Sequence, residues 1–493
     1  MAEPFELVII GGGPGGYVAA FRAAQLGVRT AVVEKERPGG VCLNWGCIPT
    51  KAMLRSAEVL ETIEHSSDFG VQVDNYRLDY EAVLKRKDSV VKNLTNGVAK
   101  LLKTNGVTLV TGHARFTGTN TLEVVPVGPP PLGAGGPLYN AGPADGAPVA
   151  EVSARNVMIA TGSTPVRLPI PGVDMPGVVT SDGAFMLPEV PARIVVVGAS
   201  AVGAEWACLF NAFGSHVTIV EMLPTVVPAE DVDIGKALGR SFARSGIEVV
   251  TSKTVLGIEQ GSEGPLRVFI GSPGGDVERT VDTDVVLLGV GRRPNTEGLE
   301  IEKAGVELDP RGYVLVDDHM RTSVSTTYAI GDVTGRVLLA HVASHQGVVA
   351  AANIAGHTEL MDYKSVPAAT FTHPEIASVG LTEQAARDAG YDVLVGKFPF
   401  AALGRAQTYG NTEGLVKIVA ERKYHEVLGM HMFGQNVSDM IPEGALALAL
   451  EATVDDLANT IHAHPTLGEA SMEASMLALG LPVHVAPPRR TRS

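Results

Sequence analysis

Apolar residues, interrupted only by Glu6, first run from Phe5 to Ile10, the length of a buried strand, and stop at a glycine cluster, Gly11 to Gly16. Helical spacing then carries them to about Leu26, and Val28 to Glu34 reads as a second strand. The same order returns later: a strand at Arg193 to Val197, a turn at Gly198 to Gly203, and a strand at Val217 to Glu221. Between the two copies lie a long helix, about Asp79 to Asn105, and a β-rich stretch. Pro126 to Pro148 is rich in Pro, Gly and Ala and predicts an exposed loop. Ala329-Ile330-Gly331-Asp332 falls at a strand end. From about Val366 the pattern changes to alternating strands with two helices, which predicts a separate C-terminal unit.

The two copies share a detailed pattern. Gly11, Gly13 and Gly16 stand in G-x-G-x-x-G spacing, and Glu34 closes the second strand 23 positions after Gly11 (34 − 11). Gly198 and Gly203 match the outer glycines, and Glu221 follows Gly198 by the same 23 (221 − 198). Such glycines let backbone approach a pyrophosphate at a helix N-terminus, and the acid suits ribose hydroxyls. One glycine turn is a weak signal; two with equal strand and acid spacing predict two Rossmann-like dinucleotide sites. Ser200 replaces the middle glycine of the second turn, where backbone meets phosphate. The Glu221 carboxylate favours a free 2′-hydroxyl and repels a 2′-phosphate, so NAD is expected over NADP.

Composition narrows the classes. With 493 residues, 45% of them hydrophobic, the chain can form about three domains. Its 39 basic and 54 acidic residues give a net charge of −15, which argues against nonspecific nucleic-acid binding. Without a basic leader before Phe5 or a bilayer-length apolar run, a cytoplasmic protein that neither spans nor binds a membrane is expected.

Only three cysteines are present. Cys208 lies alone in an apolar helical stretch and reads as core. Cys42 and Cys47 form a C-x4-C pair, five positions apart. Five residues of regular helix separate Cα atoms by roughly 8–9 Å. A disulfide needs less than about 7 Å. If the two bridge, the backbone at Asn44-Trp45-Gly46 must leave the helix, and Pro49 then suits the first turn of a new helix. Cys47 would stand at that helix's N-terminus, where a thiolate is stabilised. Two free thiols and a metal site are the alternatives; the second lacks another cysteine pair and no metal is expected. Near the other end, His462, His464, Pro465 and Glu469 cluster. A histidine oriented by a carboxylate suits proton transfer to thiols near neutral pH. A structural or metal-binding histidine is the alternative.

Gly39-Gly40-Val41-Cys42-Leu43-Asn44-Trp45-Gly46-Cys47-Ile48-Pro49-Thr50-Lys51 resembles the redox-disulfide motif of the pyridine nucleotide–disulfide oxidoreductases. His462-Ala463-His464-Pro465-Thr466-Leu467-Gly468-Glu469 resembles that family's dihydrolipoamide-oxidising branch. The likeness covers nearly the whole chain, apart from the Pro126–Pro148 insert and the last few residues. It implies an α/β chain with two Rossmann-like domains, for FAD and NAD, and a C-terminal α+β dimerisation domain. The expected boundaries are 1–165 and 292–365 for FAD, 166–291 for NAD, and 366–493 for the interface.

By position, the resemblance makes Cys42 the thiol that exchanges with substrate and Cys47 the thiol facing the flavin. His464 becomes the acid–base and Glu469 its orienting partner. Lys51 and Glu205 become an ion pair near the flavin, and Asp332 a ligand of the ribityl chain. Thr161 and Gly162 match one crossover between the FAD and NAD domains, Gly289 and Gly291 the other, and Ala340 and His341 a flavin-side turn. Gly40, Ala114 and Val255 complete the expected cofactor contacts. The implied reaction oxidises protein-bound dihydrolipoamide through a Cys42–Cys47 disulfide and FAD to NAD+. The implied partners are a second copy of the chain, forming a homodimer, and a lipoyl-bearing acyltransferase of a 2-oxo acid dehydrogenase complex or glycine cleavage system. Met222, Leu223 and Pro224 follow Glu221 where NADPH-using glutathione reductases place arginines, and the tail from Pro487 to Ser493 has no cysteine. The rivals are reduction of glutathione or a related disulfide, and a scaffolding subunit of a large complex.

Overall fold

A computed structural model describes residues 4–132, 136–139, 141–262 and 264–486. Strand Phe5–Ile10 lies between Thr30–Glu34 and Ala150–Ile159, parallel to both. Thr108–Thr111 and Thr327–Ala329 extend this parallel sheet on either side. Helices cover it, so its central strands are apolar without alternation. Ala150–Ile159 shows the transition within one strand. Its first residues alternate in burial where they pair antiparallel with Thr121–Val125; its last three are all buried where parallel strands flank them. Helix Tyr80–Thr104 starts where the sequence predicts, because the Asp79 side chain caps it by accepting the Ala82 N–H at 3.0 Å.

The second glycine turn belongs to a second parallel sheet, in the order Glu248–Val250, His216–Val220, Arg193–Val197, Val285–Leu288, Val178–Thr180. A three-stranded antiparallel sheet, Thr254–Gln260, Leu266–Gly271 and Val277–Thr283, follows it in the chain. The chain enters and leaves this part side by side, since Ser163–Pro165 pairs antiparallel with Arg292–Pro294.

The last part is a five-stranded antiparallel sheet, ordered Pro367–Thr370, Glu375–Gly380, Val427–Gly434, Leu415–Glu421, Val393–Pro399. Two helices were expected here. Val437–Ala449 and Glu469–Ala478 are joined by Glu383–Asp388, Gly404–Tyr409 and Val454–Asn459, each of six residues and too short to leave a periodic signal. Lys417 of this sheet, fully buried, donates to Asp231 at 2.8 Å and Asp233 at 2.7 Å and pairs with Glu383 at 2.8 Å, fastening the sheet to the second nucleotide-type unit. No helix of the described residues is long and apolar enough to cross a membrane.

The 126–148 stretch is exposed only in part, where its composition predicts an exposed loop: Pro129, Pro131, Gly142, Pro143 and residues 145–148 are exposed, Gly128, Gly136 and Pro137 are buried, and residues 133–135 and 140 lie outside the described residues. It doubles back, with the Gly128 N–H on the Gly142 carbonyl and the Ala144 N–H on the Pro126 carbonyl, both at 2.9 Å. Tyr139 and Ala141 are buried. Its polar contacts to the rest of the chain, which composition does not reveal, hold it down.

Candidate active site

The first glycine turn is shaped by contact as much as by torsion. Gly11 has φ +106°, and a Cβ there would lie 2.3 Å from the Ala160 carbonyl oxygen. A Cβ on Gly16 would lie 2.0 Å from the Gly11 oxygen, so the helix Pro14–Gln25 can close on the strand only with glycine. Glu34 is buried, and its carboxylate accepts the Gly12 N–H at 2.6 Å and the Glu36 N–H at 2.9 Å. Burial raises its pKa, against these two bonds.

The second turn repeats the first in detail. Glu221 accepts the Ala199 N–H at 2.7 Å and the Leu223 N–H at 2.8 Å. A Cβ on Gly203 would meet the Gly198 oxygen at 1.9 Å, and one on Gly198 the Gly289 oxygen at 2.7 Å. Ser200 sits at φ −71°, against −70° for Gly13, so serine suffers no backbone strain there; its hydroxyl donates to the Gly289 carbonyl at 3.3 Å. Gly198, Gly203, Glu221 and Gly289 thus gather at the ends of the second sheet's strands, with Gly291 just before the return strand. Val255 does not join them at the surface. Its side chain is buried in the core with Val220, Ile258 and Ile270, since it falls on an inward position of its strand.

The cysteine segment breaks where a Cys42–Cys47 bridge would need it to. One helix ends at Asn44, Trp45 and Gly46 leave helical torsions (φ −140° and −144°), and Cys47 opens helix Cys47–Glu64. Cys42 and Cys47 stand as two half-buried thiols. The hydrogen bond from the Cys42 thiol lowers the Cys47 pKa to about 7, aided by the Lys51 ammonium and opposed by burial. Cys42, the donor, is pushed up by that same bond and by burial. Lys51, one turn along, donates to both carboxylate oxygens of Glu205 at 2.8 Å, and Glu205 also accepts the Phe371 N–H at 2.9 Å.

These groups face one cavity of about 1340 Å³. Gly11, Gly13, Glu34, Gly40, Cys42, Cys47, Lys51, Ala114, Thr161, Gly162, Glu205, Asp332, Ala340 and His341 all line it. It exceeds the roughly 300–1,000 Å³ of ordinary small-ligand pockets. Backbone crowding marks one wall: a Cβ on Gly40 would stand 2.5 Å from the Gly13 Cα. Two buried polar atoms on the lining residues, Asp182 Oδ1 and His113 Nδ1, have no protein partner. A long cavity with a glycine cradle at a helix N-terminus fits a dinucleotide such as FAD.

Sequence reasoning missed several lining residues. Arg292 donates to the Ser163 hydroxyl and carbonyl, both at 2.7 Å, and the Ser163 hydroxyl donates in turn to Asp332. His113 donates to the Gly298 carbonyl at 3.0 Å. Arg292 sits in Gly291-Arg292-Arg293-Pro294, directly after a glycine already singled out, so that signal was available.

His464 and Glu469 are together but elsewhere. His464 Nδ1 lies 2.8 Å from Glu469 Oε1, and Glu469 Oε2 accepts the Thr466 N–H at 2.8 Å. Partial burial opposes the Glu469 charge, yet the Thr466 N–H and His464 hold its pKa below the usual carboxylate range. The His464 side chain is 76% exposed, and neither residue lines the cavity of its own chain.

Residues 5–347 match the pyridine nucleotide-disulphide oxidoreductase family model, and residues 366–475 match that family's dimerisation domain. The chain belongs to this family, and it is an NAD-dependent flavoprotein oxidoreductase that uses FAD. Its dimerisation domain makes it a homodimer. Over 480 residues it is 42% identical to dihydrolipoyl dehydrogenase from Geobacillus stearothermophilus, covering 97% of each chain. Over 486 residues it is 41% identical to a dihydrolipoyl dehydrogenase of Bacillus subtilis, covering 98% of this chain and all of that one. Among solved structures, LpdA from Mycobacterium tuberculosis superposes with a TM-score of 0.84 at 27% identity, over 95% of this chain and 98% of that one.

Proposed function

We propose that the chain oxidises dihydrolipoamide to lipoamide and reduces NAD+. The observation that carries this is the Cys42–Cys47 pair opening into the cofactor cavity with Cys47 as the more acidic thiol, in a chain similar along its length to dihydrolipoyl dehydrogenases. A substrate thiolate attacks the oxidised pair at Cys42, forming a mixed disulfide and releasing Cys47 as thiolate. The second substrate thiol gives its proton to His464 and attacks the substrate sulfur, freeing Cys42 and closing the lipoamide ring. Glu469 orients the imidazole, and Lys51 with Glu205 holds charge beside Cys47. Bound FAD supplies the two-electron step between this dithiol and NAD+.

Gly11, Gly13, Gly16, Glu34, Gly40, Ala114, Thr161, Gly162, Asp332 and Ala340 are assigned to FAD. Gly198, Gly203, Glu221, Gly289 and Gly291 are assigned to NAD. We assign 1–165 and 292–365 to the FAD domain, 166–291 to the NAD domain and 366–493 to the interface, a division supported by the pairing of Ser163–Pro165 with Arg292–Pro294. His464 completes the partner subunit's site, which accounts for its exposure and its absence from its own cavity. The substrate arm belongs to a lipoyl-bearing acyltransferase of a 2-oxo acid dehydrogenase complex or glycine cleavage system, in the cytoplasm. Initial rates test this: dihydrolipoamide with NAD+ should far exceed glutathione or NADP+ in kcat/KM. A higher value with glutathione would overturn the substrate assignment.

A further inference from the structure

Leu138, Tyr139 and Ala141, in the described part of the 126–148 stretch, tie together two parts of the molecule that face each other across the cofactor cavity. At one end their anchors lie just beyond strand Thr30–Glu34. Glu36 Oε2 accepts the Leu138 N–H at 3.1 Å and the Tyr139 N–H at 3.2 Å, while Oε1 accepts the Trp45 indole N–H at 2.9 Å. Lys35 donates to the Ala141 carbonyl at 2.8 Å. At the other end the Tyr139 hydroxyl donates to Asp182 Oδ2 at 2.6 Å. Asp182 lies on the short helix Ser181–Ala184, which follows strand Val178–Thr180 of the second sheet. One segment thus links the first sheet, the redox loop through Trp45, and the second sheet.

The segment is also part of the cavity wall. Pro131, Leu132, Tyr139, Ala141, Gly142 and Pro143 line it beside Lys35, His113 and Asp182. Asp182 and His113 are 1% and 3% exposed, and each keeps one polar atom without a protein partner. His113 Nε2 must donate to the Gly298 carbonyl, so Nδ1 is left as an acceptor; Asp182 Oδ1 is a second acceptor. Both atoms are closed off from the cavity itself, which marks the wall at this point as dry and tightly packed.

We infer that Leu138, Tyr139 and Ala141 form a clasp that retains FAD, with Tyr139 as its latch to Asp182. Residues of the first sheet and of the second both line the cavity, so a nucleotide held between them leaves more slowly when the two are tied. Opening must break the Tyr139–Asp182 bond, a buried hydrogen bond to a carboxyl group. Glu36 and Lys35 form the hinge side, where backbone groups of the clasp are held by side chains adjoining Glu34. Burial raises the Asp182 pKa, with the Tyr139 bond opposing it, and burial lowers the Lys35 pKa to about 8. Both groups sit in a water-poor wall, where a missing partner costs most. The inference rests on the flavin reading but not on the choice of thiol substrate.

The test is the rate at which purified FAD-loaded dimer loses flavin during dialysis against bromide, followed by the fluorescence of released FAD. Tyr139→Phe keeps the ring and removes the latch; Asp182→Ala removes its acceptor; Glu36→Gln weakens the other anchor while keeping an acceptor for Trp45. Tyr139→Phe should lose FAD roughly tenfold faster than wild type. The Tyr139→Phe, Asp182→Ala double variant should be no faster than the faster single variant, because both remove one bond. Glu36→Gln should also accelerate loss, and it provides the test by itself if the Tyr139 variant does not fold. Release at the wild-type rate in any folded anchor variant, or full additivity in the double variant, overturns the clasp. A wild-type protein that purifies without flavin and takes up none would instead refute the flavin reading.

Discussion

The Lys51 ammonium lies 2.8 Å from both carboxylate oxygens of Glu205, a residue 154 positions later. The pair sets charge at the redox thiols, because Lys51 lowers the Cys47 pKa and Glu205 raises it. With Cys47 depressed to about 7, its thiolate dominates above that pH and is lost as the pH falls through it. The thiolate absorbance of the reduced protein should therefore rise through about pH 7. In Lys51→Met the midpoint should move up by about one unit or more, since an opposing charge is gone. A midpoint unmoved by this change would remove Lys51 from the site's electrostatics.

Lys417 is buried against Asp231, Asp233 and Glu383. Lys417→Ala leaves the buried Asp231 without its cation, while Asp233 keeps Lys397 at 2.6 Å and Glu383 keeps Arg387 at 2.9 Å, and should cost about 3–5 kcal/mol, read by chemical denaturation. Burial opposes ionisation of Asp231 and Asp233, but Lys417 and their other partners hold both below the usual carboxylate range; Glu383 is lowered first by Lys417. Carboxylates depressed in the folded state stabilise it above their unfolded values, near pH 4, and lose that contribution as the pH falls through the folded values. Wild type should thus lose stability in acid over that window, and the variant should lose less. Equal acid sensitivity in both would contradict the cluster's role.

Glu221 closes the second fingerprint with both oxygens held by backbone N–H groups. Its fixed charge should repel a 2′-phosphate. Glu221→Ala should narrow the NAD+ over NADP+ preference in kcat/KM by about tenfold or more. Ser200→Gly should change NAD+ KM little, because serine already holds the torsion of Gly13. A wild-type preference for NADP+ would refute the assignment.

The parts of the site that are local in sequence were legible there. Each glycine turn, its helix and its acid fall within 24 residues, and a bridge across the C-x4-C spacing would need the break that is found at Trp45 and Gly46. The His464–Glu469 contact spans five positions and was implied by the likeness of that segment to the family's motif. What needed the folded chain was closure between distant segments. Tyr139 meets Asp182 across 43 positions, and Arg292 meets Ser163 across 129. Nothing in a Pro- and Gly-rich composition marks Tyr139 as buried. At Val255, which the family resemblance made a cofactor contact, strand alternation turns the side chain into the core and leaves only the backbone to meet a ligand.

His464 and Cys47 are 417 positions apart (464 − 47), and His464 does not line the cavity that holds Cys47. If the site is shared between subunits, two inactive variants can repair each other. Cys47→Ser and His464→Ala chains, refolded together in equal amounts, should form about half mixed dimers, each with one intact site. Activity should return to about a quarter of wild type. Verified mixed dimers that stay inactive would place His464 at its own chain's site or at none.

The most direct measurement is anaerobic titration of the FAD-loaded protein with dihydrolipoamide, without NAD+, followed by visible absorbance. Wild type should take up two electrons per site and develop a long-wavelength band from the Cys47 thiolate beside the flavin. Cys47→Ser should retain FAD and show no such band. A wild type that dihydrolipoamide does not reduce, or a Cys47→Ser variant with the full band, would contradict electron passage from dihydrolipoamide through the Cys42–Cys47 pair.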